Sequence, residues 1–168
     1  TKRATSYADV VKSVSPNVVN IIAKQRVKRG GSAAPFFFED PLFRRFFEDR
    51  FGENFDRPDS QDFVPHMGSG VIVSGDGYLL TNAHVVKGAD DIIISFASGK
   101  KEYSARLVGA DSKTDIAVLK VDAKLPAITL GDSDTLEVGD AVLAIGNPFG
   151  VGQTVTSGIV SAIDRGGM

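Results

Sequence analysis

The feature that most constrains the fold is a series of short apolar runs, each closed off within a few residues by turn-forming side chains. Val71-Ile72-Val73 and Tyr78-Leu79-Leu80 flank Ser74-Gly75-Asp76-Gly77, a hairpin signal. Asp91 to Phe96, Tyr103 to Ala110 and Ile116 to Val121 follow, punctuated by Ser98-Gly99-Lys100 and Asp111-Ser112-Lys113. Beyond Pro126 come Ala141 to Ile145 and Thr154 to Ile163, separated by the glycine-rich stretch 146–152. Runs this short and this rich in Val and Ile predict strands, and their even spacing predicts an all-β antiparallel barrel rather than a βαβ sheet. The last two runs do not fit the same barrel and read as the opening of a second.

The start of the chain has a different pattern. Thr5 to Ser15 carries Tyr7, Val10, Val11 and Val14 at helical spacing, with Thr5 or Ser6 as the cap and Pro16 as the stop. Val18 to Val27 then reads as a strand whose imperfect alternation implies burial on both faces for part of its length. An insertion over Lys28 to Met67 interrupts the pattern and holds nine of the eleven phenylalanines. Within it, Asp40-Pro41 is a helix start, and Phe43, Phe47, Phe51 and Phe55 fall four apart opposite Arg44, Arg45, Glu48 and Asp49. A short amphipathic helix is expected there, with its apolar face covered by the barrel or by a neighbouring subunit.

Composition removes several function classes. Nineteen basic and 21 acidic residues leave a net charge of −2, and no basic run marks a nucleic-acid surface. The absence of cysteine excludes disulfides and thiolate metal sites. With two histidines and no ligand spacing, neither a metal nor a cofactor is expected. The glycine-rich stretch 146–152 leads into Thr154-Val155-Thr156, a strand pattern, whereas a phosphate site needs a helix N-terminus there. No apolar run has the length of a membrane span, and Thr1-Lys2-Arg3 does not begin a signal peptide. Any targeting segment of an exported parent is expected to have been removed.

Two residues invite a chemical reading. His84 closes the run Leu79-Leu80-Thr81-Asn82-Ala83-His84 where a strand is expected to end, and Asp115 stands just ahead of Ile116-Ala117-Val118-Leu119. Alone, the first reads as a structural histidine among valines and the second as a turn residue. Together they belong to an ordered set of segments. Gly68-Ser69-Gly70-Val71-Ile72-Val73, Thr81 to Val86 and Thr114 to Leu119 come first. Gly131-Asp132-Ser133, Val138-Gly139-Asp140, Gly146-Asn147-Pro148-Phe149-Gly150 and Thr156 to Ser161 follow. This set closely resembles the HtrA (Deg) family of trypsin-fold serine proteases, from about Ser15 to Ile163.

The resemblance implies a trypsin-like double β-barrel, with residues 1–16 as an N-terminal helical segment and 17–125 as a complete first barrel. Residues 126–168 would form a linker and the beginning of the second barrel, and no PDZ domain is expected among them. It makes His84 the general base and Asp115 its orienting partner. The chemistry needs such a pair, because a serine hydroxyl is a poor nucleophile until a neighbouring imidazole takes its proton. The resemblance further implies an ATP-independent endopeptidase acting on misfolded proteins, a periplasmic location, and a homotrimer or higher oligomer. In it, the Phe-rich insertion corresponds to a loop that regulates the active site across subunits. The alternative is a chaperone that holds unfolded polypeptides without cutting them. The sequence departs from the family in one respect. No Gly-Asn-Ser-Gly-Gly type turn occurs within 1–168, and Ser69, Ser133 and Ser157 match other family segments, so the chain alone is expected to be inactive.

Overall fold

The computed structural model describes residues 6–26, 63–97, 101–147 and 152–163. The amphipathic helix expected over Asp40 to Phe55 lies outside them. The N-terminal helix is α1, Ala8–Val14. It begins later than expected: Tyr7 holds the N-cap position without a side-chain bond, and Ser6 Oγ accepts from the Ala8 N–H at 3.1 Å instead. Thr5 is outside the described residues. Pro16 sits in the first positions of a single 3-10 turn, Ser15–Asn17, where its missing N–H costs no hydrogen bond. Asn17 is buried and donates to the carbonyl of Pro126 at 2.9 Å.

Six strands follow: β1 (Val18–Arg26), β2 (Phe63–Ser74), β3 (Tyr78–Asn82), β4 (Asp91–Phe96), β5 (Glu102–Asp111) and β6 (Ile116–Lys120). They close a barrel in the order β1-β2-β3-β6-β5-β4, with every neighbouring pair antiparallel. Closure occurs at β1, which pairs with β2 along one edge and with β4 along the other. Alternate residues of each strand point inward. Val19, Ile21 and Ala23 of β1 meet Ile72, Leu79, Ile92, Ile94, Ala117 and Leu119 in one apolar cluster. Each fully buried Val, Leu or Ile of this kind stabilises the fold by about 1.5–3 kcal/mol over its exposed state.

The outer residues of β1 are buried as well. Val18, Asn20 and Ile22 are all covered, which accounts for the broken alternation in the sequence. The Asn20 amide donates to the carbonyls of Asn147 at 2.9 Å and Gly68 at 3.3 Å. The Asn147 N–H in turn donates to Ser69 Oγ at 2.8 Å. Gln153 adds a third link, donating to the carbonyls of Ser15 at 2.6 Å and Val18 at 3.3 Å. These polar contacts tie the barrel to a separate two-stranded sheet of β7 (Ala141–Gly146) and β8 (Thr154–Ile159). Val142, Val155 and Ile159 of that sheet are exposed among the described residues. The last two predicted strands therefore stand apart from the first barrel, as expected.

Besides the late start of α1 and one-residue differences at the ends of β5, β6 and β7, two boundaries differ from the sequence reading by several residues. The insertion was expected to run to Met67, yet β2 already begins at Phe63 and pairs with β1 from there. Pro65 hides this, because proline reads as a break. In the structure Pro65 is opposite Lys24 of β1, while pairing of β2 with β3 starts only at Val71. One edge of β2 is thus unpaired by β3 at Pro65, where proline is tolerated. The final strand ends at Ile159 rather than Ile163. Val160 continues only a local clasp, donating to Asp140 O at 2.9 Å and accepting from the Gly139 N–H at 2.8 Å.

Gly77 closes the β2–β3 hairpin with φ +91°, and a Cβ there would lie 2.4 Å from the Val121 carbonyl and 2.8 Å from that of Ala123. Neither obstacle is a side-chain end that could swing away. Gly77→Ala is therefore expected to destabilise the protein by about 1–3 kcal/mol, read as a lower urea midpoint. Asn20→Leu is expected to cost a similar amount, about 1–3 kcal/mol, because it leaves two buried carbonyls without their donor. The same denaturation series checks it.

Candidate active site

Between β3 and β4 the chain makes one helical turn, α2, Ala83–Val86. It is anchored from below: Ala83, Val85 and Val86 are buried in the barrel core. Val85 reaches the backbone of β2 at Gly68, where an added Cβ would come within 2.7 Å of its Cγ2. A glycine is needed for α2 to sit this close to the barrel. With three of its four residues facing inward, α2 leaves His84 exposed. His84 thus stands on a helical turn rather than at the end of a strand, a turn too short for any periodicity to reveal.

The opposite wall is the turn from β5 into β6. Asp111 folds this turn locally: its carboxylate accepts from the Lys113 N–H at 2.9 Å and from Thr114 Oγ1 at 2.9 Å. These two contacts, the Lys113 N–H first, hold the Asp111 carboxyl below its ordinary range. The chain then reverses through Asp115, whose φ of 55° is the one positive value among the described non-glycine residues. Aspartate is among the few side chains that accept this conformation readily.

From this position Asp115 gathers the free donors at the start of α2. Its carbonyl accepts from the Ala83 N–H at 3.0 Å, and Oδ1 accepts from the His84 N–H at 2.9 Å. Oδ2 lies 2.7 Å from His84 Nδ1. A residue on another element therefore performs the capping that α2 lacks from its own N-cap side chain. The His84 backbone N–H is the largest influence holding the Asp115 carboxyl below its ordinary range. The His84 ring bond comes next, partly opposed by desolvation, and the His84 charge and Asn82 act in the same lowering direction. An ionised carboxylate can only accept, so Nδ1 carries the ring proton and Nε2 keeps its lone pair. The imidazole is 70% exposed, so Nε2 chemistry is open to an incoming group.

The structure thus brings together His84 and Asp115, the two residues singled out from sequence. His66 lies on β2 opposite Ala23 and is not part of this cluster. Sequence reasoning did not single out Asn82. Its side-chain amide donates to Asp115 Oδ2 at 3.1 Å and to the Asp115 carbonyl at 3.2 Å. The signal available was its place two residues ahead of His84, at the exposed end of β3. Among the described residues, no group of three or more His, Asp or Glu side chains is arranged to hold a metal, and no helix is long and apolar enough to cross a membrane.

Known proteins resemble this chain in sequence and in fold. The family model described as a trypsin-like peptidase domain matches residues 68–168. A probable periplasmic serine endoprotease of the DegP-like kind from Halomonas elongata is 45% identical over 177 residues, covering 98% of this chain and 36% of that protein. Its counterpart from Pseudomonas putida is 47% identical over 166 residues, covering 95% of this chain and 35% of that protein. A solved HtrA-type protease with a decapeptide superposes with a TM-score of 0.70 at 48% identity, covering 96% of this chain and 47% of that one. The chain spans about a third of the length of the curated relatives it matches. A closed barrel, a separate two-stranded sheet and a paired His and Asp in this order stand beside these likenesses: the chain belongs to the trypsin-like peptidase domain family, and it is similar to HtrA-type, DegP-like serine endoproteases.

Proposed function

We propose that the protein containing these residues is an ATP-independent serine endopeptidase that degrades misfolded polypeptides, with His84 as general base and Asp115 as its orienting carboxylate. The observation that carries the reading is the 2.7 Å contact between His84 Nδ1 and an Asp115 carboxylate that the His84 N–H also holds. A neutral imidazole with its Nδ1 proton fixed in this way takes a hydroxyl proton at Nε2, and the carboxylate then stabilises the imidazolium. The relatives are named periplasmic serine endoproteases, and the periplasm is the matching location for this protein.

These 168 residues include no Gly-x-Ser-Gly-Gly turn. On this reading the nucleophile and its oxyanion amides come from residues outside them, and the 168-residue chain alone hydrolyses no peptide. Residues 17–125 are the first barrel of the double-barrel enzyme, and 126–168 lead into the second. Assembly into a homotrimer or higher oligomer is part of the same reading. In its support, Tyr7 and Val10 of the N-terminal segment are 43% and 51% exposed, apolar surface suited to a neighbouring subunit.

The test uses the full-length protein on a denatured protein substrate. His84→Ala is expected to lower kcat on the order of 10⁶-fold and Asp115→Asn on the order of 10⁴-fold, with folding intact in both. Cleavage by the His84→Ala protein at the parent rate would overturn the assignment, and retained substrate binding without any cleavage by the parent would favour a holding chaperone instead. A pH dependence follows from the lowered Asp115 carboxyl. A depressed folded value means that the ionised, paired form stabilises the native state above the ordinary carboxylate range. That contribution is lost as pH falls through the depressed value. The gap in denaturation midpoint between the parent and Asp115→Asn should accordingly be widest near neutral pH and close in acid.

A further inference from the structure

Asn82 occupies the N-cap position of α2, with extended backbone angles (φ −76°, ψ 141°) typical of a capping residue. Asparagine in that position ordinarily turns its side-chain oxygen onto the first N–H groups of its own helix. Here it makes no such bond. The free N–H groups of Ala83 and His84 are satisfied from across the site by Asp115, and the Asn82 amide is directed at the same residue as a donor. It reaches Oδ2, the oxygen that meets His84 Nδ1. It also reaches the Asp115 carbonyl, so it spans side chain and backbone of a residue held at positive φ.

We propose that Asn82 is a positioning residue for the His84–Asp115 pair, fixing the Asp115 carboxylate and withdrawing charge from the oxygen that faces the imidazole. This rests on the protease reading above. Oδ2 is shared between two donors, and each donor weakens the acceptance available to the other. Removing the amide concentrates negative charge toward the His84 Nδ1–H, which favours the imidazolium over the neutral base. The two groups share a direct bond, so the effect is expected in the acidic limb of the pH–rate profile. Among the described residues, the charge acting on the Asp115 carboxyl is that of His84. Lys87 just after α2, His66 on β2, and Asp111 and Lys113 ahead of β6 make no bond to the His84 ring, and Asp111 is occupied by Lys113 and Thr114.

The experiment measures kcat and KM for the full-length protein on a short chromogenic peptide from acid to alkaline pH, for the parent, Asn82→Ala and Asn82→Asp. Asn82→Asp keeps the shape of the side chain, loses the donor and places a second carboxylate beside Oδ2. Asn82→Ala removes the group altogether, so a folding failure in one variant leaves the other readable. Asn82→Ala is expected to lower kcat by about tenfold with KM unchanged and to move the acidic limb up by about half a pH unit. Asn82→Asp is expected to move it further, by about one unit. A fall in kcat that is uniform across pH with an unmoved limb would show a structural clamp only, and overturn the proposal. So would profiles indistinguishable from the parent. His84→Ala serves as the control that separates the two claims: an active His84→Ala protein sinks the assignment of His84 as general base, whereas an inactive one with unmoved Asn82 limbs sinks only the role given to Asn82.

Discussion

Closure of the barrel at β1 is the constraint on which the remaining geometry depends. The strand is hydrogen-bonded along both edges and covered on both faces, so it has no freedom to slide: a one-residue slip would exchange Val19, Ile21 and Ala23 for Asn20 and Ile22 in the core. Fixing β1 fixes β2, and the small residues of β2 at Gly68 and Gly70 admit Val85 and Ile21 respectively, both on the inward face. The site is then a consequence of packing. α2 is placed by three inward side chains, and His84 is the residue left facing out. A closed support of this kind holds a hydrogen-bonded pair in place.

The polar seam outside β1 has a complementary role. Asn20, Ser69 and Asn147 form one connected set of bonds joining the barrel to the segment that leaves β7. Thr81, one residue ahead of Asn82, gives its hydroxyl to the carbonyl of Ser69 at 2.9 Å. The seam and the His84 segment thus share Ser69 as a common partner. Buried amides are costly unless bonded, and their geometry is far more selective than that of an apolar contact. The Asn20 amide nitrogen and the Ser69 hydroxyl therefore hold the backbone at Asn147 against the barrel by bond direction as well as by contact.

Much of this was legible in the sequence, and unevenly for physical reasons. β4 was read as Asp91 to Phe96 and is Asp91–Phe96, because turn residues bracket an apolar run with nothing ambiguous inside it. The two-sided burial of β1 was legible in its near-continuous apolar character. The start of β2 was hidden by Pro65, whose compatibility with a strand depends on a missing neighbour that only the sheet order reveals. α2 was invisible because four residues hold barely one helical period. His84 and Asp115 were found through the order of their segments, not through their own surroundings. Asn82 was overlooked because asparagine before a helical turn already has an ordinary explanation as a cap, and only the bond directions exclude it.

The positive φ of Asp115 bears on how the site would change over evolutionary time. A backbone held at 55° admits glycine, asparagine and aspartate at small cost and strains nearly everything else. The fold therefore restricts this position to a handful of residues before chemistry has any say. The fold leaves position 84, exposed on its helical turn, freer to vary than position 115, which stays confined to the same few residues. The turn accounts in part for the carboxylate at position 115, whereas it makes no such demand for an imidazole at position 84.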